Sequence, residues 1–251
     1  MILHGVDFSG ADSGGAAKIR VVDRNLRARG EPVTLRGKFD RKTLLRAMIE
    51  SAKEPGEHLW RIDAPFSLPI ETLDALKVPH DWMAMARWMT DFGSPRGWRH
   101  DIRQLHRKEP KRVCDRAEST PMAPMNLRVF KQTWTLICEI LLPLAEAGIH
   151  IEPVANRSPQ SRMVVCEGCP ASVLQRFGWP SKGYKGQGDP PRVVRASILE
   201  RLPSAGVRVA EALAREAMDD PEGDLLDAIL LTTSPTQTVI PAEALIEAWV
   251  Y

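Results

Sequence analysis

Five carboxylates carry the chemistry this sequence offers: Asp7, Asp63, Glu167, Asp224 and Asp227. Asp7 closes the apolar run Ile2-Leu-His-Gly-Val-Asp7, Asp63 closes His58-Leu-Trp-Arg-Ile-Asp63, and Glu167 follows Arg162-Met-Val-Val-Cys166. Asp224 and Asp227 are three apart, so on a helix they share one face. An acid in an apolar segment is costly unless something pairs with it. Several acids at one spot repel one another unless a divalent cation neutralises them. Oxygen ligands with no His or Cys nearby in sequence favour Mg²⁺ or Mn²⁺ over Zn²⁺. Two such ions about 3.5–4 Å apart can activate water on one side of a phosphodiester and stabilise the leaving oxygen on the other. Plainer readings stand beside this one. Turn amides can satisfy Asp7, and Asp224 can decorate a helix start, where acids favour the dipole. The Asp224/Asp227 pair can also be the wet stripe of an amphipathic helix. Asp227 fits that description worst, because Leu225, Leu226, Ile229, Leu230 and Leu231 surround it.

The elements that must position these acids are legible in outline. Ile2, Leu3, Val6 and Phe8 suit a buried strand, and Ser13-Gly14-Gly15 gives the backbone freedom for a hairpin. Ala17 to Val22 alternates apolar and polar residues, as a strand with one wet face does. A third short strand is expected over 32–35. Asp40 then caps a helix with Leu44, Leu45, Met48, Ile49 and Ala52 at helical spacing, stopped by Pro55-Gly56. Residues 58–63 read as a fourth strand, parallel to an earlier one after a right-handed crossover. If it lies beside the first, Asp7 and Asp63 face the crevice beyond the strand ends, where open α/β sheets bind ligands.

Residues 69–148 read as a mainly helical insertion within a single domain over 1–251. Its Trp/Met-rich stretch from His80 to Met89 reads as core packing. Asn126 is expected to cap a long helix ending at Gly148. A short edge strand over 149–154 and a better one over 162–166 follow. Helices are expected over 170–177, 190–202 and 207–218, with an apolar final helix opening at Gly223.

The chain has 251 residues, enough for one large domain with a substantial core. No apolar run is long enough to span a bilayer, and no charged leader precedes an apolar stretch at the start. Four cysteines are too few for a disulfide scaffold, which favours a reducing cytoplasm. A net charge of +2 permits a nucleic-acid partner without requiring one. The most basic stretch, Arg96 to Arg116, suits a solvated face or a grip on phosphates equally.

The β-β-β-α-β opening, with acids ending strands one and four and Asp224-Leu-Leu-Asp227-Ala228 near the end, resembles the ribonuclease H superfamily. Its Holliday-junction-resolvase branch is the nearest. More narrowly, the chain resembles domain of unknown function family 429, regarded as ribonuclease-H-like nucleases. The matching residues are Gly5-Val-Asp-Phe-Ser-Gly10, Ile62-Asp-Ala-Pro-Phe-Ser-Leu-Pro69, Val113-Cys-Asp-Arg116, Val165-Cys-Glu-Gly-Cys-Pro170, Gly183-Tyr-Lys-Gly186 and Asp224 to Ala228. The resemblance implies an α/β fold, a mixed sheet with helices on both faces, and metal-dependent hydrolysis of DNA or RNA that leaves a 5′-phosphate. It implies that Asp7 bridges two metal ions and that Asp63, Asp224 and Asp227 complete their coordination. Glu167 is then an extra ligand, while Lys185, Arg112, Arg116 and Ser9 contact substrate, with Asp115 in the same crevice. Asp63 stands where the wider superfamily often has glutamate, and its shorter reach bears on the metal spacing.

Other signals are weaker. Cys166-Glu-Gly-Cys169 has no second pair or nearby His to complete a zinc site. Gly10 to Gly15 lacks the Gly-Lys-Ser/Thr ending of a P-loop. His4 reads as a satisfied core residue, and Ser9 has no base partner within its motif. Two rival functions fit the same residues. Actin-like ATPases and sugar kinases place a glycine turn after strand one against nucleotide phosphates, usually in a duplicated fold. A non-catalytic module could bind nucleic acid or protein through the Arg96–Arg116 run.

Overall fold

Three strands open the chain, β1 (Ile2–Asp7), β2 (Ile19–Asn25) and β3 (Thr34–Phe39), followed by helix α1 (Arg41–Ser51) and strand β4 (His58–Asp63). The computed structural model describes residues 1–12, 17–28, 30–105, 108–235 and 239–251. Helices α2 (Ile70–Leu76), α3 (Trp82–Thr90), α4 (Pro95–Arg103), α5 (Val113–Ala117) and α6 (Phe130–Leu136) come next. A π turn (Ile137–Leu141) carries α6 into α7 (Leu142–Glu146). Strands β5 (His150–Glu152) and β6 (Met163–Glu167) precede α8 (Pro170–Arg176), α9 (Asp189–Arg201), α10 (Glu211–Asp219), α11 (Asp224–Leu230) and α12 (Ala244–Glu247).

The six strands form one sheet in the order β3-β2-β1-β4-β6-β5. The pairs β1–β2 and β2–β3 are antiparallel, whereas β1–β4, β4–β6 and β5–β6 are parallel. This is an α/β fold with a ribonuclease-H-like mixed sheet. Helices cover both faces. On one face Val6, Val21, Trp60, Ile62 and Val165 pack with Leu44, Met48, Trp82, Met85, Trp98 and Phe130. The opposite face packs Val22 against Val173, Ile198, Leu213, Leu225 and Ile229. Between Leu68 and His150 the described residues form helices and turns. Their apolar side chains join the same cluster as the sheet, so this helical stretch shares its core. Among the described residues no helix is long and apolar enough to cross a membrane.

Local chemistry accounts for several boundaries. Asp40 caps α1: its carboxylate accepts from Thr43 N at 2.7 Å, and the Thr43 hydroxyl accepts from Asp40 N at 3.1 Å. His4 is a satisfied core histidine, bonded to Asp23 at 2.7 Å and to His58 at 3.0 Å. Trp82, Met85 and Met89 are core, as their spacing predicts.

Other expectations need correction. The Ser13-Gly14-Gly15 turn lies outside the described residues. The third strand runs to Phe39 because Gly37, at φ +154°, lies opposite the register shift between Val21 and Val22 and lets pairing continue. Asn126 organises a turn instead of capping a helix. Its backbone carbonyl accepts from Val129 N at 3.0 Å and from Phe130 N at 2.8 Å, where α6 begins. Residues 207–210 are extended, not helical, because Arg208 accepts from Val33 N at 2.8 Å and Val209 bridges to Val33. Nor is α11 the last helix. After α12 the chain returns to β6, where Val250 bridges to Glu167 and Tyr251 N donates to Glu167 O at 3.1 Å.

Candidate metal centre

Two neighbouring strands deliver the first two acids. Strands β1 and β4 are parallel and in register, so Asp7 lies opposite Asp63, each the last residue of its strand. Side chains alternate across a sheet, which puts Asp7 on the face of Gly5 and away from Val6. Helix α11 lies against that face. A Cβ on Gly5 would sit 2.1 Å from Ala228 O, so only glycine lets the helix come this close. The approach brings Asp227, the residue before Ala228, to Asp7 and Asp63. One carboxylate oxygen from each of the three lies within 4.8 Å of the other two.

The three acids sit in a cleft of about 770 Å³. Asp227 is 1% exposed and Asp7 8% exposed, while Asp63 is half-buried. Among the described residues no hydrogen-bond donor reaches the carboxylate of Asp7 or Asp63. Burial, followed by repulsion from Asp227, pushes Asp63 up to about 8. Burial and the acids Asp227, Asp224 and Asp63 push Asp7 well above the usual carboxylate range. Burial also raises Asp227, against the pull of Lys185 and Tyr184.

Asp227 is held on both oxygens. The Tyr184 hydroxyl donates to Oδ1 at 2.9 Å, and Lys185 Nζ lies 2.6 Å from Oδ2. Burial opposes the charge on Lys185, but Asp227, Asp7 and Asp63 outweigh it and raise the ammonium above its ordinary value. The loop carrying both residues is anchored from behind. Buried Arg195 donates to Tyr184 O at 2.6 Å, Gly186 O at 3.2 Å and Met218 O at 2.8 Å.

The remaining sequence candidates fall into distinct places. Asp224 lines the cleft but lies outside the close triad; burial raises it, with Lys185 pulling the other way. Both oxygens of Glu167 are engaged by Arg112, at 2.6 and 2.7 Å, and Phe66 N donates to one of them at 2.9 Å. Arg112 also spans both oxygens of Asp115, at 2.8 and 3.2 Å. Arg112, Asp115 and Glu167 thus form a buried knot in the cleft wall, with no free guanidinium edge aimed at a phosphate. Arg116 is exposed, donates to Lys111 O and does not line the cleft. Ser9 lies on the cleft lining, where its hydroxyl accepts from Ala11 N at 3.4 Å. Of the basic run, Arg96 pairs with Asp12, Arg99 with Glu109, and Lys111 donates to Thr120 O; Arg107 lies outside the described residues. Cys166 and Cys169 are buried free thiols pushed up to about 12 by burial.

Tyr184 and Arg195 are the residues that motif reading left without a role. The signal for Tyr184 was its place beside Lys185 between Gly183 and Gly186. Nothing local marked Arg195, whose partners are backbone carbonyls. Arg128, Lys182 and Gln132 also line the cleft, and Gln132 Nε2 donates to Phe8 O at 2.6 Å.

The donor set fits a hard divalent cation. It is all oxygen and mutually repelling, two of its three members receive no donor among the described residues, and Mg²⁺ ligands lie about 2.0–2.1 Å from the ion. The family model described as protein of unknown function (DUF429) matches residues 5–237. No curated protein and no solved structure matches the chain.

Proposed function

The chain belongs to the DUF429 family of proteins of unknown function, and we propose that it is a metal-dependent nuclease that hydrolyses phosphodiester bonds of DNA or RNA. One observation carries this reading: acids from β1, β4 and α11 converge within 4.8 Å while, among the described residues, no hydrogen-bond donor reaches the carboxylates of Asp7 and Asp63. Asp7, Asp63 and Asp227 would hold Mg²⁺ or Mn²⁺, with Asp224 at the margin. The ion, when bound, supplies Lewis-acid activation of water and charge stabilisation at the phosphoryl group.

The chain's own residues do the rest. Tyr184 fixes the carboxylate plane of Asp227 through Oδ1. Lys185, half-exposed, places a positive charge at the cleft floor, where a phosphate oxygen would arrive. Arg128 and Lys182 line the approach and favour a polyanion. The cytoplasm is the setting that four unpaired cysteines favour.

The test is cleavage of branched, single-stranded and hybrid nucleic acids with and without Mg²⁺. Asp7→Asn should abolish Mg²⁺-dependent cleavage while leaving the fold intact, since it relieves carboxylate repulsion. Equal cleavage by wild type and Asp7→Asn would sink the proposal.

A further inference from the structure

We infer that the centre takes one divalent cation rather than two, because the ammonium of Lys185 already fills the second cation position. This rests on the metal-dependent reading above. In the ionised form that ligates a cation, the three close carboxylates would carry three negative charges, and Lys185 lies 2.6 Å from one of them. The remainder is two negative charges, the charge of a single Mg²⁺ or Mn²⁺. A second ion would need a further set of ligands. Glu167 cannot contribute, because Arg112 occupies both of its oxygens. Asp224 stands outside the close triad. Asp227 Oδ2, the oxygen a second ion would reach from the Lys185 side, is already bonded.

The convergence of acids is not the only sign that a cation belongs here. Asp7 is more than nine-tenths buried and lines the cleft, and its carboxylate accepts no hydrogen bond among the described residues. A buried carboxylate left so is costly unless a ligand completes it. Lys185 cannot complete it while spent on Asp227. One cation is therefore provided by the chain and one position awaits a divalent ion. The lysine differs from a metal ion in one respect. Its side chain is half-exposed and flexible, so its charge can shift from Asp227 toward a phosphate oxygen without leaving the cleft.

Equilibrium Mn²⁺ binding to the full chain, read from the paramagnetic signal of the free ion, tests this on wild type, Lys185→Met and Lys185→Arg. Lys185 is half-exposed, so neither substitution threatens the core. Wild type and Lys185→Arg should each bind one Mn²⁺ per chain at the triad. Lys185→Met should bind its first Mn²⁺ about tenfold tighter or more, since a like charge has gone from the ion's surroundings. Its cleavage should nevertheless fall, a split that a merely structural lysine would not produce. Two ions at the triad of wild type, or unchanged or weaker binding by Lys185→Met, would overturn the inference and leave the metal-dependent reading intact. No Mn²⁺ binding at all, or binding undiminished in Asp63→Asn, would overturn the reading beneath it as well.

Discussion

Gly5 and Ala228 touch so closely that a methyl group on Gly5 would lie 2.1 Å from the Ala228 carbonyl oxygen. This contact sets the distance between β1 and α11, and with it the distance between Asp7 and Asp227. Gly5→Ala should therefore cost about 1–3 kcal/mol or more through overpacking. It should also weaken divalent-ion binding, because α11 must move off the sheet. Urea unfolding and a Mn²⁺ titration of the same variant check both effects. Unchanged stability would contradict this packing of α11 on β1.

Tyr184→Phe removes one hydrogen bond to the buried carboxylate of Asp227 and leaves the ring in place. Hydrogen bonds to charged groups contribute about 1.5–3 kcal/mol, so a thermal melt should register a loss of that order. With Oδ1 released, Asp227 is free to rotate. A Mn²⁺ isotherm should show weaker binding, the opposite direction from Lys185→Met.

The triad also sets a pH dependence. Asp63 has a folded value of about 8 against an ordinary 3.8. The folded chain thus binds a proton that the unfolded chain releases. Stability from this group is greatest below about pH 4 and declines as pH rises towards about 8. Asp7 and Asp227 act in the same direction. Asp23 and Asp115 oppose them, since their partners hold them low and their contribution is lost on acidification. Comparing Asp63→Asn with wild type isolates the triad. Without metal the two should melt alike near pH 4, and the variant should melt higher at about pH 8. Mg²⁺ should narrow that gap. Calorimetry showing no gap at about pH 8 would count against the crowding of these acids.

Arg112 is 1% exposed and is shared by Glu167 and Asp115. Arg112→Met leaves two buried carboxylates without their counterion, a change that costs about 3–5 kcal/mol in comparable buried pairs. Adding Glu167→Gln should restore part of the loss. Denaturant melts of the single and double variants measure this coupling, and additive effects would exclude it.

Much of the centre was legible because periodicity survives in its strands. Ile2 to Asp7 and His58 to Asp63 end in acids, and a crossover helix between them makes parallel pairing the natural arrangement. Asp227 stood out as an acid within an apolar helix. Glu167 did not separate from the triad in sequence, because its partner Arg112 lies far away in the chain and inside a run that suits a solvated face or a grip on phosphates equally. The return of residues 244–251 to β6 was equally hidden. There Glu247 accepts from Ile70 N at 2.7 Å and Val113 N at 2.6 Å, contacts that no local pattern announces.

The three close acids come from the first strand, the fourth strand and a helix far downstream of both. A ribosome makes Asp7 and Asp63 well before it reaches Asp227. Any product of premature termination before residue 227 therefore lacks one acid of the set. A nascent polypeptide of this protein cannot assemble the centre until the codon for Asp227 has been read.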